Sequence, residues 1–422
     1  LGGGETSKAL IYDWNQGAKP NPRERAPVEL DDETLRDGLQ CPSVKAPAVK
    51  HQKEFLHLLA SLGVNAVDIG LPATGTAQRA NTLALAREVA RARLPLSLNC
   101  AARTKLEDVR IVVDISQKAG IQIEVATFIG SSPIRQFAEG WDIGFIEKAA
   151  RKAISEAVRN GLPAMFVTED TTRTRPEVLR RLCLSAIESG ARRLCIADTV
   201  GFATPRGAER VVSFLKKVIA ESGEKVSLDW HGHQDRGLGV ASALAAWDAG
   251  ADRLHGAFLG LGERSGNTPL DLLLVNLKID GAIKGDISGL ASCVEKVAKW
   301  MGVEIPFSYP VFGKDAYRTS TGIHASAMLK ALKKGDHEVS ELVYSAAVPG
   351  WFGRSHSVEI GPMSGSSNVV YWLESRGVEP SDALVAAVLS RAKRSSSTLR
   401  DEDIHEIIKA HGPAKPRPKA KR

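Results

Sequence analysis

The sequence predicts a (β/α)₈ barrel followed by a smaller, mainly helical C-terminal region. Three observations carry this reading. Short apolar runs rich in β-branched residues alternate with longer stretches whose apolar residues recur every three or four positions. The alternation occurs eight times. It is complete within about 250 residues, the length such a barrel needs.

Taken in order, the strand-like runs are VELDDET (28–34), AVDIG (66–70), LPLSLNC (94–100) and IQIEVATF (121–128). PAMFVTE (163–169), RRLCIADT (192–199), VSLDWHGH (226–233) and DRLHGAF (252–258) complete the set. Between them lie amphipathic stretches such as VKHQKEFLHLLASLG (49–63), GFIEKAARKAISEAVRNG (144–161) and PEVLRRLCLSAIESG (176–190), which close on glycine, a common helix stop. A doubly wound open sheet is the alternative, but it normally carries a glycine-rich phosphate loop after its first strand. That place is taken here by LRDGLQCP (35–42), which does not fit. The expected organisation is an N-terminal lead (1–27), a barrel domain (28–290), a helical subdomain (291–400) and a basic tail (401–422) that is disordered at its end.

Composition narrows the function. Of 422 residues, 43% are hydrophobic and 25% charged, an ordinary globular balance. No apolar run approaches the ~20 residues that span a bilayer, and the N-terminus shows no secretory signal. Five scattered cysteines argue against a disulfide framework and for a reducing cytoplasm. Five of the basic residues behind the net charge of +7 sit in the last nine positions; without them the charge is +2. Aromatics are only 5%, so a nucleic-acid surface is not expected.

In such barrels the chemistry belongs at the C-terminal ends of the strands, and polar residues gather there. His231 and His233 alternate by two on the seventh run, so both imidazoles leave the same face. With Asp37 at the end of the first run they form a suitable set for a divalent cation; two histidines in a polar loop are the bland alternative. Arg36 suits a carbonyl oxygen or an enolate, or an ordinary salt bridge at the barrel mouth. Glu169 is a general acid or base, or a helix-capping acid. Thr199 binds a substrate carboxylate, or caps the next helix. Together they describe metal-assisted chemistry on a carbonyl compound.

TLRDGLQ (34–40), HGHQDRGLG (231–239), GLGERSGNTPLD (260–271) and TGIHASAMLK (321–330) resemble the signatures of the metal-dependent acyl-CoA condensing and cleaving barrels. That family includes 2-isopropylmalate synthase, homocitrate synthase, Re-type citrate synthases and 3-hydroxy-3-methylglutaryl-CoA lyase. The resemblance implies that Asp37, His231 and His233, with Asn267 close by, hold a divalent metal (Mg, Mn, Zn or Co). It implies acetyl-CoA as co-substrate and a 2-oxo acid as acceptor, with Arg36 at the carbonyl oxygen and Thr199 on the carboxylate. Glu169 and His324 become candidates for proton transfer, with Tyr344 assisting. A homodimer with shared active sites is implied as well.

GLQ in the first motif is similar to the lyase branch, whereas GERSGN after the eighth run and the GIH element are similar to the synthases. 2-Isopropylmalate synthase, acting on 2-oxoisovalerate in leucine biosynthesis, is the nominal type. Homocitrate or Re-citrate synthase, or the lyase, are the alternatives. Homocitrate synthases use an arginine in the neighbourhood of Arg135 for a distal carboxylate, so a dicarboxylic 2-oxo acid is a rival acceptor; a surface arginine in a polar loop is the alternative reading of Arg135. Only about 20 residues follow position 400, too few for the leucine-binding regulatory domain of many isopropylmalate synthases.

Overall fold

The structure is a computed structural model and describes residues 10–15 and 27–411. Most of the N-terminal lead and the basic end of the tail, 412–422, lie outside the described residues. Eight parallel strands close into a barrel in sequence order. They are β1 (Glu29–Asp32), β2 (Ala66–Asp68), β3 (Ser97–Arg103), β4 (Ile123–Gly130), β5 (Ala164–Glu169), β6 (Arg193–Asp198), β7 (Ser227–Gly232) and β8 (Arg253–Gly256). Each falls within or overlaps the run that predicted it. β1 and β8 pair to seal the barrel, with Asp31 opposite His255.

The outer ring comprises α1 (Val49–Ser61), α2 (Thr76–Ala92), α3 (Leu106–Ala119), α4 (Pro133–Glu139) and α5 (Ile143–Arg159), then α6 (Pro176–Glu188), α7 (Pro205–Ser222), α8 (Gly239–Asp248), α9 (Leu270–Ile279) and α10 (Leu290–Met301). Three of these helices start on a capping side chain, Ser132, Asp142 or Thr204. Asp142 accepts the Phe145 N–H at 2.6 Å and Thr204 accepts the Gly207 N–H at 3.2 Å, satisfying amides the first helical turn leaves unpaired. On α1, Phe55, Leu56 and Leu59 are at most 2% exposed. Each such side chain contributes about 1.5–3 kcal/mol by leaving water.

Strand pleating sorts the barrel residues into two sets. Leu30, Leu98, Leu228, Trp230 and Leu254 alternate with polar neighbours and are buried on the helix side. Asp31, Asp229, His231, Arg253 and His255 take the other face and fill the barrel interior. Near the middle of this barrel the interior is therefore charged, where branched apolar layers are usual.

Residues 305–411 belong to a separate compact unit. It contains a two-stranded parallel pair, β9 (Arg318–Thr319) and β10 (Ser357–Val358), with α11 (Gly322–Lys333), α12 (His337–Leu342), α13 (Ser366–Ser375), α14 (Asp382–Lys393) and α15 (Asp401–Ala410). Val369, Trp372, Leu373, Leu384, Val388 and Ile404 form its core. The start of the predicted basic tail is thus helical, through α15.

Candidate active site

The inward-facing residues at the strand ends line a cavity of about 270 Å³. Arg36, Asp37, Glu169, Thr199, His231 and His233, all singled out from the sequence, share its wall. His231 Nε2 and His233 Nε2 lie 3.3 Å apart. Asp37 Oδ2 is 3.4 Å from His233 Nε2 and 3.8 Å from His231 Nε2. All three side chains are buried.

This donor set fits a divalent cation. Asp37 Oδ2 is buried and finds no hydrogen-bond partner among the described residues, and the same holds for Asn267 Oδ1. Asn267 bridges His233 through the backbone. Burial, and next the neighbouring His231, push His233 down to about 4, so at neutral pH it is an imidazole with a lone pair to offer. Burial alone would raise Asp37, but Arg36 and the two histidines outweigh it and hold the carboxyl below its ordinary value. Two imidazole nitrogens and a carboxylate oxygen converging on one point are a common set of divalent-metal ligands.

The loop after β8 holds Asn267 in place through two glycines. Gly262 has φ +151°, and a Cβ there would stand 2.2 Å from Asn267 Nδ2. Gly266 has φ +90°, and its Cβ would meet Gly260 O at 1.7 Å. No side chain fits either position. Asn267 Nδ2 then donates to Leu261 O at 2.8 Å, which orients the amide.

Arg36 is held by three acidic side chains. Nε donates to Asp68 Oδ2 at 2.9 Å, Nη2 pairs with Glu33, and Nη1 lies 3.5 Å from Asp37 Oδ1. Burial pushes Asp68 up to about 8, against the opposing pull of Arg36. Across the cavity, burial raises Glu169, with Arg135 opposing. Thr199 Oγ1 accepts the Asp170 N–H at 2.8 Å, so its own proton remains to be donated. Asp170 adopts φ +61°, a left-handed conformation that Ser132 and Arg173 hold through its carboxylate.

Arg135 stands beside the site, with Nη2 3.6 Å from Glu169 Oε2 and 3.1 Å from Glu139 Oε1. His324 and Tyr344 belong to the unit 305–411, where their rings stack at 3.7 Å. The sequence alone did not single out Glu33, Asp68, Asp229, Arg253 or His255 as site residues. The signal was present as alternation: Asp31/Glu33, Asp229/His231/His233 and Arg253/His255 each repeat at two, one pleat deeper than the mouth.

A closed barrel with a metal-type ligand set and acid–base groups at its C-terminal mouth defines an enzyme. The HMGL-like family model matches residues 27–295, and the chain belongs to that family, as an acyl-transferring enzyme within the 2-isopropylmalate/homocitrate synthase group. It is 30% identical to homocitrate synthase AksA of Methanopyrus kandleri, over 90% of this chain and 92% of that protein. It is also 30% identical to a Methanoculleus marisnigri protein provisionally named (R)-citramalate synthase CimA, over 90% of this chain and 72% of that one. Among solved structures, the Bacillus subtilis HMG-CoA lyase superposes with a TM-score of 0.56 at 19% identity, covering 67% of this chain and 96% of the lyase. Among the described residues no helix is long and apolar enough to cross a membrane.

Proposed function

We propose that this enzyme joins acetyl-CoA to a monocarboxylic 2-oxo acid, nominally 2-oxoisovalerate, and releases CoA and a 2-alkylmalate. The observation that carries the choice of acceptor is the wall formed by β2–β5. Leu71, Ala101, Ala126, Phe128, Met165 and Val167 line that side of the cavity, with β3–β5 across the barrel from β7 and β1. An alkyl side chain finds apolar surface there. A second carboxylate would meet Glu33, Asp37, Asp68, Glu169 and Glu263, with Arg36 already committed to three of them.

Asp37, His231, His233 and Asn267 would hold the divalent cation. Bound there, it supplies Lewis-acid polarisation of the 2-oxo acid. Thr199 donates its hydroxyl proton to the substrate carboxylate. Glu169, whose carboxyl burial raises above its ordinary value, takes a proton from the acetyl methyl group. The resulting carbon attacks the 2-oxo carbon, Arg36 stabilises the negative charge that develops on the carbonyl oxygen, and that oxygen becomes a hydroxyl as the proton held by Glu169 is returned to it. Water then cleaves the thioester and CoA leaves as the thiol. His324 and Tyr344, from the family resemblance, assist the proton transfers, and a homodimer with shared sites follows from the same resemblance.

A second reading, a dicarboxylic acceptor as in the homocitrate synthases, is favoured by Arg135. Its Nε is buried without a partner among the described residues, and it reaches the cavity's edge at Glu169. CoA release, followed with a thiol reagent, tests both. The main reading expects 2-oxoisovalerate to have a higher kcat/KM than 2-oxoglutarate or oxaloacetate. The reverse order establishes the second reading and removes the first.

A further inference from the structure

Behind the proposed cation ligands lies a chain of buried polar side chains that the condensation does not use. Glu33 engages both of its carboxylate oxygens: Oε2 takes Arg36 Nη2, while Oε1 lies 2.8 Å from His255 Nδ1 and 3.3 Å from His231 Nδ1. The other ring nitrogen of His255 stands 2.9 Å from Asp229 Oδ2. That oxygen also accepts from Arg253 Nε at 2.7 Å. Glu33, Asp229, Arg253 and His255 are each at most 3% exposed.

We propose that Glu33 is a positioning residue that accepts the Nδ1–H of His231 and so aims the Nε2 lone pair of that imidazole at the cation site. The argument is one of hydrogen-bond capacity. An ionised carboxylate only accepts, and an imidazole that ligates a cation carries one N–H and one lone pair. The nitrogen against Glu33 therefore bears the proton, and the lone pair falls on the nitrogen facing Asp37 and His233. Such a carboxylate behind a ligating histidine fixes its tautomer and its rotation and makes it a better donor. His255 in turn holds Glu33, because it is pinned between two carboxylates, one just past β1 and the other on β7. The arrangement is one-sided: His233 Nδ1 is buried with no partner among the described residues, so His231 alone is braced from behind.

Glu33, His231 and His255 also offer ligand atoms within 4.8 Å of one another, which raises a second cation as the rival explanation. The bonding argues against it. Both Glu33 oxygens are engaged, and both nitrogens of His255 lie at hydrogen-bonding distance from carboxylates.

The proposal rests on the cation-site reading above, and its test separates the two. Mn²⁺ is titrated into metal-stripped wild-type protein and into Glu33→Gln without substrates, with free Mn²⁺ read by electron paramagnetic resonance. Wild type should bind one ion per chain, and Glu33→Gln should bind one ion about 10- to 100-fold more weakly with an unchanged circular dichroism spectrum. A wild-type measurement stands apart from any folding defect: nitrogen-15 spectra of histidine-labelled, Zn²⁺-loaded protein should show His231 protonated at Nδ1. A chain that binds no ion removes the cation site and this proposal together. Ion binding with Glu33→Gln within about threefold of wild type removes this proposal alone. So does a second ion per chain, or a His231 proton on Nε2.

Discussion

Arg36 Nε donates to Asp68 Oδ2 at 2.9 Å, a hydrogen bond that ties the C-terminal ends of β1 and β2 together. With Glu33 and Asp37 on its other nitrogens, the guanidinium has one orientation. A lysine cannot make three divergent contacts from one ammonium. Arg36→Lys should therefore lower kcat by about 10²-fold with little change in KM, as loss of an oxyanion donor does. Steady-state kinetics at saturating acetyl-CoA measure it, and a kcat near wild type would take Arg36 out of the chemistry.

Removal of a cation ligand gives the second expectation. Asp37→Ala and His233→Ala should each abolish turnover and reduce bound divalent metal, because three protein ligands are typical of an open catalytic site. The barrel should survive, since both side chains sit at its mouth. Metal analysis of the purified variants, beside a thermal melt, checks both halves. Full turnover in exhaustively chelated wild-type protein would contradict the metal assignment outright.

The HGH alternation on β7 and the acid at the end of β1 were legible because strand period and barrel topology together fix which faces meet. The layer beneath was not. A charged residue inside an apolar strand run carries no sign of its partner. His255 meets Glu33 across 222 positions of sequence, and Arg253 meets Glu124 across 129. Only barrel closure brings them together. Arg135 was legible as a candidate from its resemblance to homocitrate synthases, but its pairing with Glu139 one helical turn on was not weighed. The fold of residues 305–411 was visible as helical, whereas the stacking of His324 on Tyr344 depends on packing that no periodicity records.

Glu169 and Arg135 give a pH prediction. Burial raises the Glu169 carboxyl above its ordinary value, and the Arg135 guanidinium 3.6 Å away partly offsets that. Arg135→Ala removes the offset, so the proton is held to higher pH. The acidic limb of the kcat/KM profile should move in the alkaline direction while the plateau above it stays unchanged for a monocarboxylic acceptor. A plateau that collapses for 2-oxoglutarate alone would show Arg135 binding a distal carboxylate.

The charged interior also governs stability. Burial alone would lower His255, but Asp31, Asp229 and Glu33 outweigh it and push the imidazole up to about 10 from an ordinary 6.5. A group raised on folding stabilises fully below its unfolded value and loses that contribution as pH climbs through its folded value. The wild-type melting temperature should therefore fall between pH 6.5 and 10, by more than that of His255→Asn, whose pH dependence is flatter. Arg253→Met strips Asp229 and Glu124 of a buried partner and should cost about 3–5 kcal/mol in urea unfolding. Parallel pH curves for wild type and His255→Asn would mean that the imidazole is uncharged in the fold.

Shared sites between two copies of the chain give the last prediction. His324 and Tyr344 lie in the unit 305–411, and the family resemblance makes His324 a candidate for proton transfer in the partner's barrel. An enolate needs a cover that excludes water and delivers a proton-transfer group. His324→Ala and His231→Ala should each be inactive as homodimers, for different reasons. When the two are mixed under conditions that allow subunit exchange, half of the dimers at random assortment are mixed. If each barrel uses the partner's His324, one site in a mixed dimer carries both substitutions and the other carries neither. Activity should then return to about a quarter of wild type. If His324 serves its own barrel, every site in the mixed dimer carries one substitution and nothing returns. Exchange is confirmed separately by native mass spectrometry of an isotope-labelled pair, so silence in the assay under confirmed exchange assigns His324 to its own subunit or to no catalytic role.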